Sequence, residues 1–304
     1  KYAENRLLQQ GPRGLVTDPE LTPAFDQLVT SATRDGLYSF YDLLTPREWT
    51  WDDLGLQAPG GKNPEPELAA ALTLLEPRSS EAWKASVAAL YGRRNKVGRT
   101  NYPQDIAVPL VSVFSDCSAF SSWEDLRALP FLRSAYGNWL KQKRAKEPDF
   151  MKDAVCEEAD FGVMPLHEKK AASIRRFLAE REAAGVGRMR DYLETLKCKA
   201  LVGAALTTWH YRELIDPRLA ASDFTGESFS IDPPRHLGEK WSAPYRIDNS
   251  NPLLKSSPVS WSIAWHERPD RPMCITSWLA PGPSSWRAVH GLLVFVIDAA
   301  LLEH

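Results

Sequence analysis

The chain has 304 residues, of which 43% are hydrophobic and 25% charged, and its net charge at pH 7 is −2. These values are ordinary for a globular protein, and the near-neutral charge argues against nucleic acid or a membrane as the main partner. No apolar run approaches the ~20 residues that cross a bilayer, and no signal segment opens the sequence. We therefore expect a cytoplasmic protein; residues 302–304 resemble a tag remnant.

The N-terminal part predicts helices with one strand. Helical patterns occupy residues 67–75 and 81–93, and a capping box at Ser122–Asp125 predicts the start of another helix. Residues 106–114 read IAVPLVSVF, which is typical of a strand. Because proline cannot donate to a ladder, Pro109 suggests an edge or bulge position.

A long helical hairpin is predicted for residues 165–214. Three apolar residues form one stripe of its first helix: Ile174, Phe177 and Leu178. Gly185 and Gly187 are expected to end that helix, and residues 189–214 to form the second.

The C-terminal residues, 257–301, predict an antiparallel sheet. The alternating residues of its first strand are Val259, Trp261, Ile263 and Trp265. Residues 268–272 read as the turn, 273–279 as the returning strand, and 292–297 as a third strand or a helix. An amphipathic sheet needs cover on its apolar face, and the upstream helices can supply it.

The predicted fold class is therefore α+β. A helix-rich N-terminal part is assigned to residues 1–160. The second part, residues 161–301, combines the long helical hairpin with the C-terminal antiparallel sheet on which it packs.

No catalytic motif stands out. The glycine-rich loop at 55–63 departs from the spacing of a phosphate-binding loop, and no nucleophile elbow or zinc-protease motif occurs. Asp116–Cys117 follows a predicted strand and His266–Glu267 ends one, so each pair could be part of a catalytic or metal site. A structural or surface role is the better interpretation of both pairs. The prediction is a protein without metal or cofactor; an enzyme acting on a small molecule through a scattered site is the alternative.

Four cysteines stand alone, at positions 117, 156, 198 and 274. No pair has zinc-ligand spacing, and a chain of this size does not need disulfides to fold. We expect free thiols and no disulfide, as in a reducing cytoplasm.

The first quarter of the chain is acidic, with twelve acidic and six basic residues among residues 1–76. A solvated acidic face is one interpretation, and a docking surface for a basic partner is the other. Tryptophans beside carboxylates suit protein recognition, although core packing also accounts for them. The candidate partner-binding residues are Glu48, Trp49, Trp51, Asp52, Asp53, Glu65 and Glu67.

One stretch near the C-terminus resembles a family of bacterial immunity proteins. It comprises residues 265–267 (WHE), 278–282 (WLAPG), Trp286 and 290–295 (HGLLVF). Members of that family are encoded beside polymorphic toxins, including restriction-endonuclease-fold toxins exported by type VI secretion. The resemblance implies a cytoplasmic α+β protein without catalytic activity, which binds one toxin and blocks its active site. A homo-oligomer is a further expectation.

Overall fold

The computed structural model describes residues 8–11, 14–17, 19–38, 40–43, 49–114, 119–120, 122–147, 154–206, 221–230, 235–236, 245–246 and 273–279. The candidate residue Glu48 and the strands predicted at 259–265 and 292–297 lie outside these residues. The chain divides into two compact units, Lys1–Phe224 and Thr225–His304. The domain division predicted at residue 160 stays a prediction.

The first unit is rich in helices. These are α1 Leu21–Arg34, α2 Pro66–Leu75, α3 Ser80–Leu90, α4 Trp123–Leu126, α5 Pro130–Lys146 and α6 Ala172–Thr195. Three short 3-10 turns occupy Tyr102–Gln104, Glu158–Asp160 and Lys169–Ala171. The strands are β1 Leu8–Gly11, β2 Gly14–Thr17, β3 Phe40–Asp42, β4 Leu110–Phe114 and β5 Leu201–Leu206. The helix-rich character predicted for the N-terminal part is confirmed.

Strands β3, β4 and β5 of this unit pair in parallel, whereas β1 and β2 form an antiparallel ribbon. Strand β4 lies between β3 and β5, and the register aligns Tyr41 with Val111 and Val111 with Val202. Parallel strands are usually covered on both faces, and β4 and β5 accordingly consist mainly of apolar residues, with Ser112 as the polar exception. The edge position suggested by Pro109 is wrong. The proline precedes the first residue of β4 and costs the ladder no hydrogen bond.

The described residues of the second unit form two strand pairs. Strand β6 Thr225–Ser230 runs parallel to β9 Met273–Leu279, and β7 Arg235–His236 pairs antiparallel with β8 Tyr245–Arg246. The strand predicted at residues 273–279 is therefore confirmed. Its described partner runs parallel to it, so the antiparallel C-terminal sheet is not supported. The chain between β6 and β9 has the length that a parallel crossover needs.

The predicted helical hairpin is wrong. Helix α6 continues through Gly185 and Gly187 to Thr195, and residues 201–206 form strand β5 rather than a second helix. A glycine inside a helix costs only about 1 kcal/mol relative to alanine, which close packing can offset. Short apolar runs fit a buried strand as well as a helix. The predicted packing of this hairpin on an antiparallel C-terminal sheet is therefore not supported, because neither the hairpin nor the antiparallel pairing is found among the described residues.

Helix starts are predicted better than helix ends. The helix expected at 67–75 is confirmed as α2, and the one expected at 81–93 forms α3 but ends at Leu90. Ser122 stands at the N-cap of α4, yet its side chain makes no capping hydrogen bond. A new helix, α5, then begins at Pro130, since proline suits the first helical position.

The core of this unit joins its helices and its sheet. The largest fully buried side chains are Trp83, Tyr91, Tyr102, Tyr136, Phe161, Phe177, Phe224, Leu54 and Leu72. Helix α2 is the most enclosed helix, with residues 68–75 all buried. The segment that precedes α2 is therefore attached, at its C-terminal end, to a helix that is deeply buried.

Candidate interaction surface

The acidic loop, defined as residues 49–67, lies between β3 and α2. The indole Nε1 of Trp51 donates to the Lys62 carbonyl over 2.8 Å and closes the loop across its base. Leu54 is completely buried, and its carbonyl accepts a 2.8 Å hydrogen bond from Ser79 Oγ. Although no part of the loop before α2 is helix or strand, the core holds it in one shape.

Both predicted aromatic anchors belong to this core. Trp49 and Trp51 are each 6% exposed and lie in the main hydrophobic cluster. Their alternation places both rings inward, which is the core-packing alternative left open by the sequence. The two rings therefore pack under the loop as part of the core, and they are too buried to contact a partner.

The predicted carboxylates behave differently. Asp52, Asp53, Glu65 and Glu67 are all exposed, and Lys62 is the one basic residue between positions 49 and 67. Asp53 Oδ2 accepts hydrogen bonds from the amide and the hydroxyl of Thr50, both at 2.8 Å. The acidic loop thus has a surface with three more acidic than basic side chains.

Structural roles account for only part of this acidity. Asp53 stabilises the turn at Thr50, and Glu67 lies in the first turn of α2, where the helix dipole favours a carboxylate. The side chain of Glu65 makes no capping hydrogen bond, and the exposed side chain of Asp52 forms no hydrogen bond or ion pair with another described residue. Asp52 and Glu65 are consequently available to a partner.

The other candidates from the sequence gain no support among the described residues. Asp116–Cys117 and His266–Glu267 lie outside them. His167 is exposed, at 78% of its side chain, and within the described ranges no cluster of three or more potential metal ligands occurs. Cys156 and Cys198 are free thiols.

A buried ionic network around Asp26 is absent from the sequence predictions. The carboxylate is 1% exposed, and its Oδ1 lies 2.6 Å from both Arg93 Nη2 and the donating hydroxyl of Tyr102. Its Oδ2 accepts the Lys96 amide over 2.9 Å. Burial acts to raise the pKa of Asp26, but these partners outweigh it and lower the pKa.

This network ties α1 to the segment 93–102. The Arg93 guanidinium also lies over the Tyr102 ring, 4.9 Å from its centroid. A signal was present in the sequence: Asp26 shares the buried stripe of α1 with Thr22 and Val29, where an apolar residue is expected. Because both carboxylate oxygens of Asp26 are hydrogen-bonded within the fold, the network stabilises the structure.

No protein-family model matches the chain, and no curated protein matches it significantly. Of the stretch that resembles immunity proteins, Trp278 and Leu279 end β9, and its other residues lie outside the described part of the chain. None of the described helices is long and apolar enough to span a membrane.

Proposed function

We propose that this chain is an immunity protein, which binds a cognate secreted nuclease toxin and neutralises it by covering its active site. It acts in the cytoplasm as a binding protein rather than an enzyme, and it needs no metal or cofactor. The observation that carries the proposal is the acidic loop, which holds four exposed carboxylates on a shape determined by the core.

The chemistry of a nuclease explains why such a loop would inhibit it. A nuclease binds phosphates in a basic groove, so a rigid acidic surface can occupy that groove in place of nucleic acid. A loop that is already ordered loses little conformational entropy on binding. Asp52 and Glu65, which have no structural task of their own, are the carboxylates we assign to the toxin.

Trp49 and Trp51 have a supporting role in this proposal. Their rings hold the loop from the core side, and Trp51 fixes its closure through Lys62. Both tryptophans would thus matter for binding without touching the toxin. The resemblance of residues 265–295 to immunity proteins supports the same functional class.

A protection assay in cells tests the proposal. The toxin encoded beside this chain's gene is induced together with wild type or with the Asp52→Lys/Glu65→Lys variant. The matched control is Glu147→Lys/Asp191→Lys, which makes the same charge change at two other exposed carboxylates. We expect wild type and control to protect the cells, and the loop variant to protect poorly. If all three proteins protected the cells equally, the acidic loop would not be the toxin-binding surface.

Stoichiometry separates blocking of the toxin from its chemical modification. A blocking protein inhibits purified toxin when the two are equimolar, whereas an enzyme that modifies the toxin inactivates it at substoichiometric amounts. A nuclease assay titrated with the chain gives the answer. Complete inhibition well below one equivalent would contradict blocking.

A further inference from the structure

Five exposed cations gather at the end of the parallel sheet where its strands begin. This cationic edge is defined as Arg94, Lys96, Arg99, Lys197 and Lys199. Backbone contacts hold its parts together: the Lys199 amide donates to the Pro103 carbonyl over 2.8 Å, and Arg94 forms a β-bridge with Asn101. Arg94 Nε also donates to the Arg99 carbonyl over 3.0 Å.

The loop that carries three of these cations is fixed by Asn95, which is 1% exposed. Asn95 Nδ2 donates to the Asp26 carbonyl and to Thr30 Oγ1, both at 3.2 Å, and so attaches the loop to α1. Its Oδ1 accepts the amides of Val97 and Gly98 at 2.9 and 2.8 Å. The cationic edge is thus as firmly held as the acidic loop.

Two of the cations occupy backbone conformations that glycine prefers. Arg99 has φ +58° and Lys197 has φ +59°. A side chain in the left-handed region costs roughly 1 kcal/mol or more. The dipole of α6 favours a cation at Lys197, just after the helix, but Arg99 has no such local reason. At Arg99 a charged side chain thus stands where glycine would be free of strain.

These cations lack compensating carboxylates among the described residues. Asp26 is paired with Arg93, and Asp105 is buried, where it accepts hydrogen bonds from Thr100 Oγ1 and the Ala107 amide. None of the five cations forms an ion pair with a described carboxylate. The positive field of the edge is therefore directed outward.

Exposed apolar side chains accompany the charges. Ile106 precedes β4 and is 81% exposed, and Leu201 begins β5 and is 43% exposed. The Leu201 amide donates to the Pro109 carbonyl over 2.9 Å, so both residues lie at the same end of the sheet. Cations beside apolar groups suit a protein partner, which can cover both.

We propose that the cationic edge binds the acidic loop of a second copy of this chain. The argument is charge complementarity, because the acidic loop has an excess of three acidic side chains and the edge presents five cations. Both surfaces are preorganised, so the two copies associate without ordering either one. The contact joins unlike surfaces, so further copies can add head to tail or close into a ring. It does not depend on the proposed function, since self-association needs no toxin.

Analytical ultracentrifugation of the purified chain tests this contact. Wild type should associate in the micromolar range at low ionic strength, and the association should weaken as salt rises from roughly 0.05 to 0.5 M. Asp52→Lys/Glu65→Lys and Arg94→Glu/Arg99→Glu should each weaken self-association at least about tenfold, because like charges then face each other. Mixing these two variants should restore a heterocomplex, since one retains the cationic edge and the other the acidic loop.

Arg99→Gly/Lys197→Gly distinguishes charge from folding. Glycine adopts a positive φ without strain, so this variant should keep the urea unfolding midpoint of wild type while associating more weakly. Wild type that stays monomeric at low salt would overturn the proposal. Binding of a single-stranded nucleic acid to the edge of such a monomer would then identify its occupant. Undiminished association of the glycine variant, or failure of the mixed variants to pair, would overturn it as well.

Discussion

Gly185 of α6 lies directly against Leu74 at the carbonyl end of α2. A Cβ atom built on Gly185 would come within 2.4 Å of the Leu74 carbonyl oxygen and 2.9 Å of its Cα. Two arginines flank this contact on α6. Arg181 Nη1 donates to the Leu75 carbonyl over 3.0 Å, and Arg188 Nη2 donates to the Leu74 carbonyl over 2.7 Å. The glycine allows α6 to satisfy the carbonyls that the end of α2 leaves open.

Gly185→Ala should therefore lower the free energy of unfolding by about 2 kcal/mol, because the added methyl group meets backbone. Gly187→Ala is the matched control, since no atom lies within 4 Å of a Cβ at that position. There alanine should raise stability by up to about 1 kcal/mol, as in an open helix interior. Urea unfolding of both variants measures the difference, and equal effects would contradict this packing.

The same glycines show where prediction from sequence stops. The apolar stripe predicts helix α6, but Gly185 and Gly187 do not end it. Gly185 instead makes close contact with α2, and Gly187 is tolerated inside the helix with open space around it. Residues 201–206 are an apolar run whose strand pairing depends on β4, far away in the chain. Local patterns predict helices such as α2, whereas parallel pairing between distant strands leaves little local signal.

The partner-binding role of the acidic loop stays a prediction, and the structure bears only on the exposure of its side chains. Exposed carboxylates at Asp52 and Glu65 agree with the expectation, because acidic side chains remain in water wherever the fold allows. The inward direction of Trp51 goes with its hydrogen bond to the Lys62 carbonyl, eleven residues further along the chain, which no local pattern encodes. The Asp26 network joins residues more than sixty positions apart, and so it is invisible to motif analysis.

Asp26→Asn should destabilise the first unit by about 3 kcal/mol or more. The substitution preserves shape but leaves the guanidinium of Arg93 buried without its counter-ion. Asp35→Asn is the control, since Asp35 and its partner Arg34 are both exposed and such pairs contribute little. A loss below 1 kcal/mol in chemical denaturation would show that the ion pair is not structural.

The lowered pKa of Asp26 also predicts a pH dependence. Above the ordinary pKa of about 3.9, the carboxylate is charged in both states, and its native interactions contribute fully. As the pH falls, the unfolded chain binds the proton first, and this stability is lost as the pH drops through the lower pKa of the folded state. Wild type should therefore lose more stability than Asp26→Asn between about pH 5 and 2. Parallel pH profiles would contradict the assignment.

Cys156 should be chemically inert in the folded protein. Its side chain is fully buried, and burial raises the pKa of the thiol to about 11, so almost no thiolate is present at neutral pH. Maleimide labelling followed by peptide mass mapping should show modification of Cys156 only after denaturation. Rapid labelling under native conditions would mean that this part of the core opens readily.

Trp51→Phe tests the closure of the acidic loop. The variant keeps an aromatic ring in the core but removes the hydrogen bond to the Lys62 carbonyl, at a cost of about 1 kcal/mol. Limited proteolysis should then cut residues 55–63 faster than in wild type. Trp123→Phe is the control, because it loses a comparable 3.0 Å hydrogen bond to the Met164 carbonyl in another loop. If the acidic loop were cleaved equally fast in both variants, the Trp51 hydrogen bond would not be what keeps the loop ordered.

The most direct test of the proposed function is the association rate between this chain and the cognate toxin that the proposal requires beside its gene. Stopped-flow measurements would compare wild type, Asp52→Lys/Glu65→Lys and the Glu147→Lys/Asp191→Lys control at low and high salt. If the acidic loop meets a basic groove, the loop variant should associate at least about tenfold more slowly at low salt. The control should remain close to wild type, and high salt should narrow the difference. A toxin that binds the loop variant as fast as wild type at low salt, or that does not bind wild type at all, would contradict the account.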